Sequence, residues 1–288
     1  MVAKMDLTKF PIRGFNTAPT PPKEDDLSRP EPAGPDGNKR LADEHIANGH
    51  THAAITRYKK AVHMSNNDPL HRTELGDAYA FAELSSKAVE QYKRAIKKDP
   101  KSAEPYFGMA EICVRYGRWQ LAMAHFEKAV GLSPKNAFYR YKYANAAVQA
   151  DSISVAIEQL EAAVELLPDD PFYHFELASL YADAHRNQDA VREMESAVRL
   201  SPEDDYYAAR MGMLYVRVGN LEQAADMYRA ALDMSPEKHA YHHLLADTYY
   251  SLGFESRAEH QYKEGAHLND YESDFLNRAR RYSLGGAW

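Results

Sequence analysis

Histidine and cysteine are the side chains of this sequence best suited to bind a metal ion. His50 and His52 form one close pair, and His242 and His243 form another. Residues one or two apart on a helix point in different directions, so neither pair predicts a chelating site. The single cysteine, Cys113, excludes an internal disulfide, a four-thiolate zinc site and an iron–sulfur cluster. We therefore expect no metal and no cofactor.

Catalytic motifs are also missing from the sequence. It contains no Walker A loop, no HExxH, no GxSxG and no GxGxxG. Glu and Asp are abundant, but none of them falls in a recognisable catalytic pair. We therefore predict that the chain is not an enzyme and has no catalytic residues. A regulatory module of an enzyme is a weaker alternative, because we expect no attached catalytic domain.

The composition of the chain further narrows the possible classes of protein function. The 288 residues are 44% hydrophobic and 27% charged, which is enough to bury a large core and argues against global disorder. With 35 Lys and Arg against 42 Asp and Glu, the net charge of −7 disfavours a nucleic-acid binder, although a local basic patch stays open. No apolar run reaches the ~20 residues that span a bilayer, and Lys4, Asp6, Lys9 and Pro11 interrupt any signal peptide. We expect a cytoplasmic protein without a membrane span.

The dominant pattern is a repeat of 34 residues. Prolines recur at this interval: Pro100, Pro134, Pro168, Pro202 and Pro236. Alanines recur at the same interval: Ala54, Ala88, Ala122, Ala156, Ala190, Ala224 and Ala258. A bulky side chain follows each alanine by four residues: Tyr58, Tyr92, Phe126, Leu160, Met194, Tyr228 and Tyr262. Such i, i+4 spacing places small and large residues on one helical face.

Seven units in one register resemble the tetratricopeptide repeat (TPR) family, over about residues 35–270. The resemblance implies an all-α, right-handed α-solenoid of helical hairpins, with repeats that start near residues 35, 69, 103, 137, 171, 205 and 239. The sequence departs from the family at the fourth position, which is aromatic in Tyr106 but otherwise Arg72, Arg140, His174, Ala208 and His242.

Local residue types predict where the helices end. Proline cannot continue a helix, so Pro100 and its equivalents should terminate the second helix of each hairpin. Gly117, Gly219 and Gly253 should form the turn between the two helices, because glycine adopts positive φ without strain. Cys113 falls at a position that faces the inter-helix core, so we expect a buried and unreactive thiol.

The two ends of the chain differ from the 38–270 solenoid. Residues 1–37 hold seven of the fifteen prolines and predict an extended tail. Phe10, Ile12 and Phe15 are candidate anchors of that tail on a neighbouring subunit; the alternative is a flexible linker. Residues 271–288 carry apolar side chains at helical spacing, which predicts a capping helix and a loose C-terminal end.

The resemblance also implies a concave surface, lined by the second, fifth and ninth positions of each first helix. The candidate partner-binding residues at these positions are Glu104, Phe107, Glu111, Phe138, Tyr141, Asn145, Phe172, Phe175, Tyr206 and Met213. Aromatic side chains dominate binding energetics, and acidic ones would select the charge of the partner. The alternative is that some of these aromatic residues pack between adjacent helices.

These features predict a non-catalytic scaffold that binds a segment or surface of a partner protein, as a subunit of a larger assembly. The alternative is an assembly factor or accessory subunit of a membrane-bound energy-converting complex, for example photosynthetic or respiratory, with peripheral membrane association. Only family resemblance suggests that alternative. Neither interpretation requires nucleic acid or a cofactor.

Overall fold

Helical hairpins make up the part of the chain that the computed structural model describes, residues 34–266, and no strand occurs in that range. The chain divides into two compact units, Met1–Pro134 and Lys135–Trp288. The described helices of the first unit are α1 (Gly34–Ala47), α2 (Thr51–Met64), α3 (Pro69–Phe81), α4 (Ser85–Lys98), α5 (Glu104–Arg115) and α6 (Trp119–Leu132). Those of the second are α7 (Ala137–Gln149), α8 (Ile153–Leu166), α9 (Pro171–Asp183), α10 (Asn187–Leu200), α11 (Asp205–Arg217), α12 (Leu221–Met234), α13 (His239–Ser251) and α14 (Glu255–Ala266).

Some predicted features fall outside this range. The anchors Phe10, Ile12 and Phe15 and the capping helix over 271–288 lie beyond the described residues. Helix α1 begins at Gly34, so residues 34–37 are helical and do not belong to the extended tail that was predicted over 1–37. None of the helices within 34–266 is both long and apolar enough to cross a bilayer.

The repeating alanines and bulky residues build the core of each unit. Ala88, Ala122 and Ala190 are 0% exposed, because each lies where a second helix packs closely on a neighbouring helix. Phe126 and Tyr92 fill the space beside these small residues and are almost completely buried. One helix of a hairpin cannot cover this apolar side alone, so stacking of hairpins within each unit completes the core.

The turn inside every hairpin has the same backbone conformation. Gly117, Gly219 and Gly253 have φ values of 65°, 83° and 80°, which confirms their predicted role. The equivalent residues of the other four hairpins also have positive φ: Gly49, Glu83, Asp151 and His185. The second helices α4, α6, α8, α10 and α12 all end one or two residues before their proline, as predicted.

Polar pairs explain the departures from the family at the fourth position. The Arg72 guanidinium donates to Gln91 at 2.9 Å, and Arg140 donates to Gln159 at 2.9 Å. In each case the partner lies nineteen residues later, on the second helix of the same hairpin. At these two fourth positions a hydrogen-bonded pair therefore links the two helices of the hairpin.

Histidines occupy the same position in two hairpins. His174 Nδ1 lies 2.7 Å from Glu193, and its Nε2 lies 2.9 Å from the carbonyl oxygen of Pro168. His242 makes the equivalent contacts with Gln261 and the Pro236 carbonyl. These two histidines are therefore structural links between the helices of a hairpin.

Candidate protein-binding surface

The first helices of the second unit begin at well-defined positions. The Asn136 side chain accepts a hydrogen bond from the backbone N–H of Tyr139 at 3.1 Å, which caps α7. Asp170 caps α9 and Asp204 caps α11 in the same way. An N-cap satisfies a free N–H group and fixes the first helical turn. These caps therefore set the direction of the aromatic side chains that follow them.

Aromatic rings line the starts of α7, α9 and α11. We call the set Phe138, Phe172, Phe175, Tyr206 and Tyr207 the aromatic face. The Phe175 ring lies 5.5 Å from Tyr206 and is stacked on Tyr207 at 5.2 Å. Phe138 and Phe172 lie on either side of Tyr141, with centroids 6.4 and 4.9 Å from it. Edge-to-face and offset contacts of this kind hold rings in fixed orientations.

Exposure separates the predicted residues of this surface into two groups. Tyr206 is 39% exposed, and Phe138, Phe172 and Phe175 are half-buried. Tyr141 and Met213 are only 3% and 1% exposed, so their side chains pack inside the unit. Asn145 is half-buried on α7.

Sequence reasoning missed the charged residues beside the aromatic face. Arg210 is 6% exposed, and its guanidinium carbon lies 5.6 Å from the Phe175 centroid and 5.9 Å from that of Tyr206. A cation over aromatic rings is stabilised by their quadrupole. Burial raises the pKa of Glu176 to about 7, and the nearby Arg210 guanidinium opposes this rise. Both residues occupy the sixth position of their repeat. Two charged side chains at this position, on successive first helices, are the sequence feature that could have identified them.

The pKa of Glu176 predicts a pH dependence of stability. Between its ordinary value of 4.5 and about 7, the folded chain retains a proton that the unfolded chain releases, so stability falls as pH rises through this window. Glu176→Gln should remove this dependence and raise the free energy of unfolding at pH 8 by about 1–3 kcal/mol. Urea unfolding at several pH values measures the effect, and an unchanged slope in the variant would contradict the assignment.

The predicted residues of the first unit form a smaller site. The Phe107 ring is half-buried and packs edge-to-face on Phe126, with centroids 5.5 Å apart. Glu104 is exposed and accepts a hydrogen bond from the Ser102 hydroxyl at 2.8 Å. Glu111 is half-buried on the same helix. This surface combines one aromatic ring with two carboxylates.

In three repeats the residue at the ninth position accepts a hydrogen bond from a tyrosine on the second helix. The Tyr92 hydroxyl donates to Asp77 at 2.7 Å, and Tyr58 and Tyr262 donate to Asp43 and Asp247. In the repeats with Phe126, Leu160 and Met194 the corresponding second-helix residue has no hydroxyl group. Their ninth positions are the polar residues Glu111, Asn145 and Ser179. The hydrogen bond from the second-helix tyrosine to the ninth position is therefore confined to Asp43, Asp77 and Asp247 among the residues named here.

Several known proteins are similar to this chain. The small glutamine-rich tetratricopeptide repeat-containing protein 2 of Mycosarcoma maydis is 28% identical over 102 residues, which cover 35% of this chain and 28% of that protein. The chain thus matches less than a third of the length of that curated relative.

Solved structures show the same fold at low identity. YrrB, described as a TPR protein with an unusual peptide-binding site, has a TM-score of 0.54 and 19% identity, covering 67% of this chain and 99% of its own. A MamA crystal structure has a TM-score of 0.54 and 17% identity, covering 60% of this chain and 94% of its own.

The tetratricopeptide repeat family model matches residues 73–137, 141–205 and 210–269, which together are more than half of the chain. No enzyme family is indicated by this match. With paired helices, repeated turns and small-to-large packing at 34-residue intervals, the chain belongs to the tetratricopeptide repeat family.

Proposed function

We propose that this chain is a non-catalytic interaction scaffold and that its aromatic face holds an extended segment of a partner protein. The observation that carries the proposal is the group of rings at the starts of α7, α9 and α11, of which Tyr206 is 39% exposed. A large aromatic side chain in water gains free energy when a partner covers it. Because α9 and α11 are capped and their rings are in mutual contact, little side-chain freedom is lost on binding.

The buried charges near the rings support the aromatic face from inside the unit. Arg210 is only 6% exposed, and its guanidinium carbon lies 5.6 Å from the Phe175 ring centroid. The rings are therefore the groups that a partner meets, and a segment with apolar side chains suits them. The peptide-binding site described for YrrB supports the same kind of ligand. The proposal includes a role as a subunit of a larger assembly and a cytoplasmic location, which rest on the sequence expectations.

Truncating a ring of the aromatic face should weaken peptide binding. Peptides of random sequence are selected from a display library on the full-length protein, and their dissociation constants are measured by calorimetry. Tyr206→Ala and Phe175→Ala should each weaken binding at least about 30-fold, since removal of a central aromatic residue costs about 2 kcal/mol or more.

Tyr116→Ala is the matched control. Tyr116 is 59% exposed, lies at the turn after α5 in the first unit and is not a member of the aromatic face. Its removal should leave binding unchanged. If Tyr206→Ala and Phe175→Ala bind as tightly as the wild type while their helical content is intact, the aromatic face is not the binding site.

A further inference from the structure

The second helices of the first unit carry an excess of positive charge. Helices α2 and α4 together contain eight Lys or Arg residues and one acidic residue, Glu90, although the whole chain carries −7. We call five of the exposed members the basic face: Lys59, Lys93, Arg94, Lys97 and Lys98. Because the helices stack with a period of 34 residues, Lys59 and Lys93 occupy equivalent positions on neighbouring hairpins. The positive charges therefore continue from one hairpin to the next.

Neighbouring rings, carbonyl groups and a histidine interact with the Lys side chains of α2 and α4. The Lys59 and Lys87 ammonium groups both lie within 6 Å of the Tyr79 ring centroid, at 5.9 and 5.8 Å. Partial burial, and then the positive charge of Lys93, lower the pKa of His125. The Lys98 ammonium donates to the backbone carbonyls of Asn66 and Asn67, which carry no net charge. Only part of this positive charge is therefore compensated by neighbouring side chains, such as the Glu90 carboxylate on Arg94.

Helix α8 in the second unit carries the opposite charge at positions equivalent to those of α4. Helix α8 contains Glu158, Glu161 and Glu165 and no Lys or Arg. Glu161 and Glu165 occupy the repeat positions that Lys93 and Lys97 occupy on α4. We call Glu158, Glu161 and Glu165, together with the exposed Glu195 on α10, the acidic face. The four second helices of this unit contain twelve acidic residues and five Lys or Arg.

We propose that the chain self-associates, with the basic face of one copy against the acidic face of a second copy. Lys93 and Lys97 on α4 have the same spacing along their helix as Glu161 and Glu165 on α8, so two ammonium groups can meet two carboxylates. Complementary potentials of this kind favour association and select its register. Because the two faces are different surfaces, the contact is heterologous, and each copy keeps one free face for a further copy.

The match of charge and spacing favours a second copy as the occupant of the basic face. A second copy also carries −7, but its Glu161 and Glu165 have the same spacing along a helix as Lys93 and Lys97. A membrane surface or a nucleic acid would present phosphates without this helical spacing and would repel the rest of the chain. This inference goes beyond the proposed peptide binding and does not depend on it.

Charge reversal tests the contact on the full-length chain by sedimentation velocity. The wild type should show a mass that rises with protein concentration at about 0.01 M salt and returns to the monomer at about 1 M, where the Debye length falls from about 30 to about 3 Å. The basic-face variant K93E/K97E and the acidic-face variant E158K/E165K should each associate at least about 10-fold more weakly.

Mixing these two variants is the decisive measurement. Each contact between them joins opposite charges again, so an equimolar mixture should regain association that neither variant shows alone. Circular dichroism and thermal unfolding confirm that each variant is folded. A wild type that stays monomeric at low salt, association that survives high salt, or a mixture that remains monomeric would overturn the proposal. Binding of the basic face to phosphatidylserine vesicles without self-association would assign that face to a lipid surface instead.

Discussion

Replacement of Phe126 by Ala should lower the free energy of unfolding of the first unit by about 3–5 kcal/mol. The Phe126 side chain is 0% exposed on α6, and its ring packs edge-to-face on Phe107 at 5.5 Å. Truncation removes the whole ring and leaves a cavity that rigid helices fill only in part. Phe107, a candidate binding residue, would lose its support at the same time.

Tryptophan fluorescence in urea measures this loss locally. The chain contains two tryptophans, and a Trp288→Phe background leaves Trp119, at the start of α6, as the only reporter. Leu121→Ala is the control, because Leu121 lies on the same helix but is 46% exposed. The control should change stability by no more than about 0.5–1 kcal/mol. Equal effects of Phe126→Ala and Leu121→Ala would contradict the packing described for α6.

Gly108→Ala should destabilise the first unit by about 1–3 kcal/mol, although alanine favours helices over glycine by about 1 kcal/mol. A Cβ atom at Gly108 would lie 2.4 Å from Cζ of Tyr92 and 2.7 Å from its hydroxyl oxygen. The Tyr92 ring also lies close to Gly76, where a Cβ would be only 2.5 Å from Cε1, so the ring has little room to move away. Displacing the ring also strains the 2.7 Å hydrogen bond to Asp77.

Gly131→Ala should change stability in the opposite direction. Gly131 lies on α6 of the same unit, and apart from its chain neighbours and its own helix backbone no atom lies within 4 Å of the position of its Cβ. The substitution should stabilise by about 0.5–1 kcal/mol through helix propensity alone. In the double variant Gly108→Ala/Tyr92→Leu, the smaller side chain should recover part of the loss from Gly108→Ala. Stabilisation by both glycine substitutions would show that Tyr92 is not confined between the two helices.

Periodicity in the sequence predicted the hairpins because the forces that define them are local. Pro100 and its equivalents stop a helix through their own ring, and Gly117 permits a positive φ through its own missing side chain. Glu83, Asp151 and His185 adopt the same turn without glycine. Their conformation follows from the register of the repeat, since the flanking helices must pair in every hairpin.

The aromatic face was only partly predictable. The sequence places Phe138, Phe172, Phe175 and Tyr206 at similar helical positions, but it cannot distinguish them from Tyr141. Tyr141 is buried because rings from α9, the first helix of the next hairpin, pack against it, and the Phe172 centroid lies 4.9 Å away. Exposure depends on these contacts between hairpins, which the residue types alone do not specify.

Composition and spacing by themselves determined the family, the helix ends and the small-to-large packing, because each follows from residues close together in the chain. The tertiary structure decided which aromatic rings reach solvent and how charged groups affect one another. Arg210 lies under the rings of Phe175 and Tyr206, and burial holds a proton on Glu176 near neutral pH. Burial and Coulomb energy depend on distances in space, so the order of residues in the sequence does not specify these exposures and pKa shifts.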